Sequence, residues 1–218
     1  MPEALAPSSF LKNPGFENPV VGFGNAQAFN PGETIGEGWI VDPNSAQVPV
    51  VTDSNLSDAT LRFPAPEGNQ YLYVAASVGD ATITQDVDLV SSMTYTLSFQ
   101  QADFITPFGN PGGGRVMIDV IDLTTLGSVT GGPQLFSTTD FSPYILQSLN
   151  FDAPTTGSYQ VRVSSVNGQA GLVDDFMLTP LSSSSAPEPG SLVLLTLSGV
   201  GILAWRRKRA SAMPDSSL

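Results

Sequence analysis

The chain has 218 residues, 41% of them hydrophobic, enough for the core of one large domain or two small ones. Its 8 Lys and Arg face 20 Asp and Glu, for a net charge of -12, and before residue 186 only Lys12, Arg62, Arg115 and Arg162 are positive, so a nucleic-acid partner is excluded on charge. With 0 Cys and 0 His, thiol nucleophiles, disulfides, Ser-His-Asp triads and the usual zinc or haem ligation are excluded as well, which leaves carboxylate chemistry and oxygen-ligated calcium.

The first residues, Met1 to Pro7, have neither a basic start nor an apolar run and do not read as a signal peptide. Residues 1–9 are taken as a lead-in, and Asn13-Pro14-Gly15-Phe16-Glu17 as the opening of the first strand. Gly36–Val41 and Val48–Thr52 suggest a pair of strands. Trp39 is the only tryptophan before the tail, and it is expected in the core rather than on a sugar-stacking platform. In Gln70–Ala75, Tyr71 and Tyr73 share one face and Leu72 and Val74 the other, so one pair is core and the other is free to meet a ligand.

Period-2 alternation continues through Asp80–Val87, where Ala81, Ile83 and Val87 share a face, and through Met93–Gln100. The Gly/Pro-rich stretch Ile105–Gly114, flanked by Phe104 and Phe108, is a candidate binding loop. Val116, Ile118 and Val120 define another buried face, with Asp119 and Asp122 beside it at opposite parity. Tyr144–Phe151, Gly157–Ser164 and Gly171–Leu178 complete the set. In the last of these, Asp174 has the parity of Leu172, Phe176 and Leu178 and is expected to point inward with them. Adjacent Asp174 and Asp175 are expected on opposite faces, which argues against their flanking one scissile bond as a glycosidase pair.

Turns rich in Gly, Pro and Asn separate these strands, and no 3.6-residue period of useful length precedes Ala186. Many short strands with regular turns predict an all-β sandwich, a jelly roll, over residues 10–180. Residues 181–186 form a Ser-rich linker.

The tail has three parts in order: Pro187-Glu188-Pro189, an uncharged apolar run from Gly190 to Trp205, and Arg206-Arg207-Lys208-Arg209. The run spans about 24 Å as a helix, short of a bilayer core of about 30 Å. Trp205 at the interface and the snorkelling basic residues make up the difference. The basic cluster is expected on the cytoplasmic side, with the body outside the inner membrane. A plain tail anchor is the simpler alternative. Residues 211–218 follow.

Two family resemblances attach to these residues. The order of parts in 187–210 resembles the PEP-CTERM sorting signal. That resemblance implies recognition by exosortase, transient anchoring by a transmembrane helix, cleavage near Pro187-Glu188-Pro189, and release or transfer to the surface in a Gram-negative bacterium that makes exopolysaccharide and biofilm matrix. The extension Ser211–Leu218 departs from the usual ending at the basic cluster.

The body segments Asn13–Glu17, Glu67-Gly68-Asn69-Gln70, Ile83–Val87, Tyr95–Phe99 and Val173-Asp174-Asp175-Phe176 together resemble galactose-binding-like sandwiches, including carbohydrate-binding modules. In that family a Glu near the first strand and an Asp on the last often hold one structural calcium, which implies Glu17 and Asp174 here. An inward carboxylate needs a cation or several donors; a hydrogen-bonded carboxylate at a strand end is the alternative.

The sequence thus leads to an exported, non-enzymatic protein whose sandwich binds glycan or matrix, with Tyr71, Tyr73, Phe104 and Phe108 as ligand-binding candidates. A structural matrix protein without a specific ligand and a carboxylate-dependent glycoside hydrolase are the alternatives.

Overall fold

The structure is a computed structural model that describes residues 9–55, 63–74, 79–103, 113–140, 142–166 and 169–181. The chain divides between Leu181 and Ser182, and all described residues belong to the first unit. The sorting residues Pro187, Glu188, Pro189, Trp205, Arg206, Arg207, Lys208 and Arg209, the expected transmembrane helix, and Phe104 and Phe108 lie outside the described residues.

Two antiparallel sheets carry the body. The first, sheet A, runs in the order β1 (Ala26–Ala28), β4 (Val50–Asp53), β5 (Gln70–Val74), β13 (Gly171–Pro180), β7 (Thr94–Asp103) and β11 (Ile145–Asp152). Sheet B runs in the order β10 (Gln134–Ser137), β8 (Arg115–Asp122), β12 (Gly157–Ser165), β6 (Thr82–Leu89), β3 (Trp39–Val41) and β2 (Thr34–Ile35), with β9 (Gly127–Ser128) paired to β8. The strands expected from alternation are present. The short β1, β2, β9 and β10 were not expected, and the strand expected to open at Asn13–Glu17 is absent, because its Pro14 and the positive φ of Asn13 and Phe16 make bends and turns there instead.

Alternation buries one face of each sheet against the other. Leu72, Val74, Leu97, Phe99, Val173 and Phe176 line the inner face of sheet A. Trp39, Ile83, Ile118, Val120, Tyr159 and Val161 line that of sheet B. Aromatic rings run through the middle: Phe16 against Trp39, Trp39 against Phe176, Phe176 stacked on Phe99, and Phe99 edge-on to Phe136 of β10, all with centroids 5.1 to 5.7 Å apart. Removing such a buried ring typically costs about 3–5 kcal/mol. Trp39 is fully buried and donates its indole N–H to the Asn13 carbonyl at 3.2 Å, as a core residue rather than a sugar platform.

The N-terminal stretch closes one end by bridging the sheets. Its backbone bonds to β13 through Phe10 N–H to Leu178 O at 3.1 Å, and it receives the Phe176 N–H at Pro14 O at 3.1 Å. On the sheet B side, Gln85 accepts from Lys12 N–H at 2.6 Å and donates to Lys12 O at 3.0 Å. Buried Gln70 donates to Phe16 O at 2.6 Å and to Pro19 O at 3.0 Å, and accepts from Val21 N–H. The two amides substitute for ladder partners that this irregular segment lacks.

One expectation fails in β13. Its pairing with β7 shifts register between Asp174 and Met177, and Asp175 has a φ of 50°. This bulge resets the alternation. Val173, Phe176 and Leu178 point into the core, whereas Leu172 belongs to a separate cluster with Tyr71 and Ala102. Asp174, before the shift, keeps the parity of Leu172 and lies on the outer side of sheet A, not inward with Phe176 and Leu178.

Candidate functional site

The outer face of sheet A is unusual in being partly apolar. Register places Leu172 opposite Tyr73 on one side and Ala102 on the other. Phe63, Ala65, Tyr73 and Tyr144 pack against Tyr71, Ala102 and Leu172. Tyr71 is only 1% exposed, with the Tyr144 ring centroid 6.3 Å away. Its ring therefore floors the cluster and offers no face to a ligand. Tyr73 and Tyr144 are half-buried. The Tyr144 hydroxyl is buried with no hydrogen-bond partner among the described residues. Burial, with Asp174 and Tyr71 close by, pushes its ionisation well above the ordinary tyrosine range.

Asp174 lies at the edge of this cluster and is 0% exposed. Its Oδ1 accepts from Asp175 N–H at 2.8 Å, and its Oδ2 accepts weakly from Glu67 N–H at 3.5 Å. Burial outweighs these bonds, and the negative charges of Asp175 and Glu17 add to it, so its pKa is pushed up to about 8. Glu67 is also raised: Asp175 shares a hydrogen bond with it, burial adds to the shift, and the charges of Asp175 and Glu17 add further. Glu17 turns its Oε1 to the N–H groups of Asn69 and Gln70, at 2.9 and 2.7 Å.

Glycines shape the cluster. A Cβ at Gly15 would sit 3.5 Å from both Asp174 Oδ1 and Glu67 Oε2, so these oxygens surround one spot left open by the missing side chain. Gly68 has a φ of 62°, and a Cβ there would overlap the Glu17 carboxyl.

The structure thus brings the expected pair, Glu17 and Asp174, into one group with Glu67 and Asp175. The bulge also corrects the expectation that Asp174 and Asp175 part to opposite faces, since both neighbour Glu67. Among the described residues no three acidic side chains converge as a ready chelate. The donors are all hard oxygens and the charge is high, which fits calcium in kind and not a soft transition metal.

Sequence reasoning missed Tyr144 and Glu67 as site residues. Tyr144 was legible: it has the opposite parity to Ile145, Leu149 and Phe151 and so falls on the outer face. Glu67 belonged to a noted motif, but nothing in its spacing placed it beside Asp174.

The outer face of sheet B differs. Asp119 is held by Ser128 and Thr130 hydroxyls at 2.6 and 2.7 Å. Ser158 donates to Asp88 at 2.6 Å, Gln160 to Asp86 at 3.1 Å, and Arg162 pairs with Asp42 at 3.1 Å. Asp122, the other carboxylate weighed for catalysis, is lowered by the N–H groups of Thr124 and Thr125 capping it. All of these acids have partners, although Asp119 and Asp122 are themselves buried and Asp122 shares the parity of the inward Ile118 and Val120.

Solved structures identify the class of fold. TmCBM61, solved in complex with β-1,4-galactotriose, is 19% identical, covers 79% of this chain and 99% of its own, and superposes with a TM-score of 0.51. A structure described as CBM4 is 17% identical over 78% of this chain and 98% of its own, with a TM-score of 0.45. The enzymatically active domain of Bacteriophage CBA120 tailspike protein 4 is 13% identical over 79% of this chain and 21% of its own, with a TM-score of 0.46. The body is a β-sandwich of the carbohydrate-binding-module type. No curated protein matches the sequence.

The tail is specific where the body is general. Residues 185–209 match the PEP-CTERM protein-sorting motif. The chain therefore carries a sorting signal of exported proteins of Gram-negative bacteria, attached to a sandwich.

Proposed function

We propose that this chain is an exported cell-surface or matrix protein whose sandwich binds glycan without catalysis. The carrying observation is the outer face of sheet A, where the half-buried Tyr73 and Tyr144 rings pack beside a buried aromatic floor. Pyranose rings stack on such faces, and a monomeric body does not ordinarily spend aromatic surface outside its core. Phe104 and Phe108 are kept as ligand-binding candidates on the strength of the sequence. One structural calcium, with Glu17 and Asp174 as the side-chain ligands that the family resemblance implies and the remaining oxygens from backbone carbonyls or water, would supply the positive charge this acidic group lacks. Exosortase is the proposed processing partner, with the inner membrane a temporary anchor through Gly190–Trp205, and exopolysaccharide of the biofilm matrix the proposed ligand.

Binding is tested by affinity electrophoresis of the full-length chain in mild detergent against soluble polysaccharides, β-1,4-galactan among them. Retardation lost in Tyr73→Ala and Tyr144→Ala supports the proposal. No retardation by any polysaccharide, together with self-association, favours the structural matrix role instead. Hydrolysis that disappears on replacing Glu67 or Asp175 favours the glycoside hydrolase. For sorting, mass spectrometry of the mature C-terminus decides: intact Arg206–Arg209 in cells expressing exosortase would refute processing.

A further inference from the structure

We infer that strand β11 is a self-pairing edge through which two copies of this chain join sheet A to sheet A about a two-fold axis.

The four sheet edges are unequal. β1 and β2 end their sheets on one side and have 3 and 2 residues. Such stubs give an incoming strand little to pair with. The other side is different. β11 has 8 residues, pairs with β7 from Ile145↔Gln101 to Asp152↔Thr94 without a register shift, and has no strand on its other edge among the described residues. Alternate residues of such a strand direct N–H and C=O groups away from the sheet. β10 ends sheet B on this same side, since Gln101 donates to Phe136 O at 3.3 Å and receives the Gln147 amide at 3.3 Å.

The usual protections are missing from β11. Ile145-Leu146-Gln147-Ser148-Leu149-Asn150-Phe151-Asp152 contains no Pro, no Lys and no bulge. Leu146 is 66% exposed, Ile145 39%, and Leu135 on β10 55%. These are apolar side chains at a rim where a solitary sandwich would place charges.

The occupant is a second copy because of charge. Two bodies of this acidic protein repel over most of their surface. Between Pro143 and Ala153 the only charged residue is Asp152. A two-fold centred on Ser148 opposes Ser148 to its mate, Leu146 to Asn150, Gln147 to Leu149 and Ile145 to Phe151. Asp152 then falls beyond the paired segment at each end, far from its own copy. The strand is self-complementary in this register, as an isologous interface requires.

Pairing in this way puts the outer faces of both A sheets on the same side, because directly opposed residues of antiparallel strands point to one face. The two Tyr73–Tyr144 surfaces become a bivalent pair. Binding to a repeating polymer then gains from effective concentration without a new contact.

The test is sedimentation velocity of the full-length chain in mild detergent over a concentration series, for the parent, Ser148→Lys, Ser148→Glu and an equal mixture of the two variants. Ser148 is exposed, and far-UV circular dichroism checks that each variant is folded. The parent is expected to reach about twice the monomer mass. Each variant alone opposes like charges at the axis and stays monomeric. The mixture opposes Lys to Glu and recovers the dimer. A parent that stays monomeric, variants that dimerise alone, or a mixture that fails to recover would each overturn the inference.

Discussion

The two outward faces of the sandwich solve the same problem in opposite ways. On sheet B each carboxylate meets a partner: Ser158 for Asp88, Gln160 for Asp86, Ser128 and Thr130 for Asp119, Arg162 for Asp42. These pairs satisfy each charge where it sits, in water for Asp86 and Asp88 and under partial cover for Asp42 and Asp119. On sheet A a carboxylate is buried beside three others, and an aromatic cluster holding a hydroxyl without a partner among the described residues covers the strand next to it. Sheet B leaves the Arg162 Nε without a partner among the described residues but pairs its carboxylates, whereas sheet A gathers an unpartnered hydroxyl and a buried carboxylate in one patch. A surface that keeps uncompensated polar groups under apolar cover marks the place where a ligand or cation would contribute.

The contrast is broken most sharply at Asp174. Its folded carboxyl holds a proton up to about pH 8, whereas the unfolded one ionises near the ordinary value of 3.8. The unfolded state therefore loses protons first, and stability falls as pH rises between these limits and levels off above the upper one. In the presence of a chelator, the parent is expected to lose roughly 2–4 kcal/mol between pH 5 and pH 8, and Asp174→Asn to lose much less. Urea unfolding at the two pH values measures both. Calcium at pH 8 is expected to raise the parent's melting temperature and to leave that of Asp174→Asn nearly unchanged; a parent indifferent to calcium and chelator would sink the proposed metal.

The next largest effect is expected at Gly68. An alanine there must adopt a φ of 62° and displace the Glu17 carboxyl from the Asn69 and Gln70 N–H groups. Gly68→Ala should cost about 2 kcal/mol in urea unfolding and weaken any calcium effect. A smaller change of opposite sign is expected at Tyr144. Removing its buried hydroxyl in Tyr144→Phe should gain up to about 1 kcal/mol while keeping the ring for binding. The smallest effect belongs to sheet B: Arg162→Met breaks the half-exposed pair with Asp42 and should shift stability by less than about 1 kcal/mol. A larger loss there would show that the pairs of sheet B are not minor.

Alternation made most of the fold legible, because a strand with one buried face has to show period 2. Met93–Gln100 and Gly157–Ser164 correspond to β7 and β12, with Leu97, Phe99, Val161 and Val163 inward. The short β1, β2, β9 and β10 were not legible, since two to four residues leave no period to read. The site was half legible. Glu17 and Asp174 came from a family resemblance, and the structure adds Glu67 and Asp175 to them. The face of Asp174 was misread because a bulge adds a residue that parity counting cannot foresee. Tyr71 and Tyr73 were correctly paired by parity, but whether a neighbour covers a ring depends on Phe63 and Tyr144, which are distant in sequence.

β13 is flanked by β5 on one side and β7 on the other, and it is the last strand before the tail. Any pull on the tail, from a flowing medium or a stretched matrix, enters the body through an interior strand and not an edge. The β7 ladder accompanies β13 from Gly171 to Pro180, whereas the β5 ladder covers only Gly171 to Val173, so the bonds nearest the tail are those to β7. The fold thus places its grip at the end from which an anchored protein would be held.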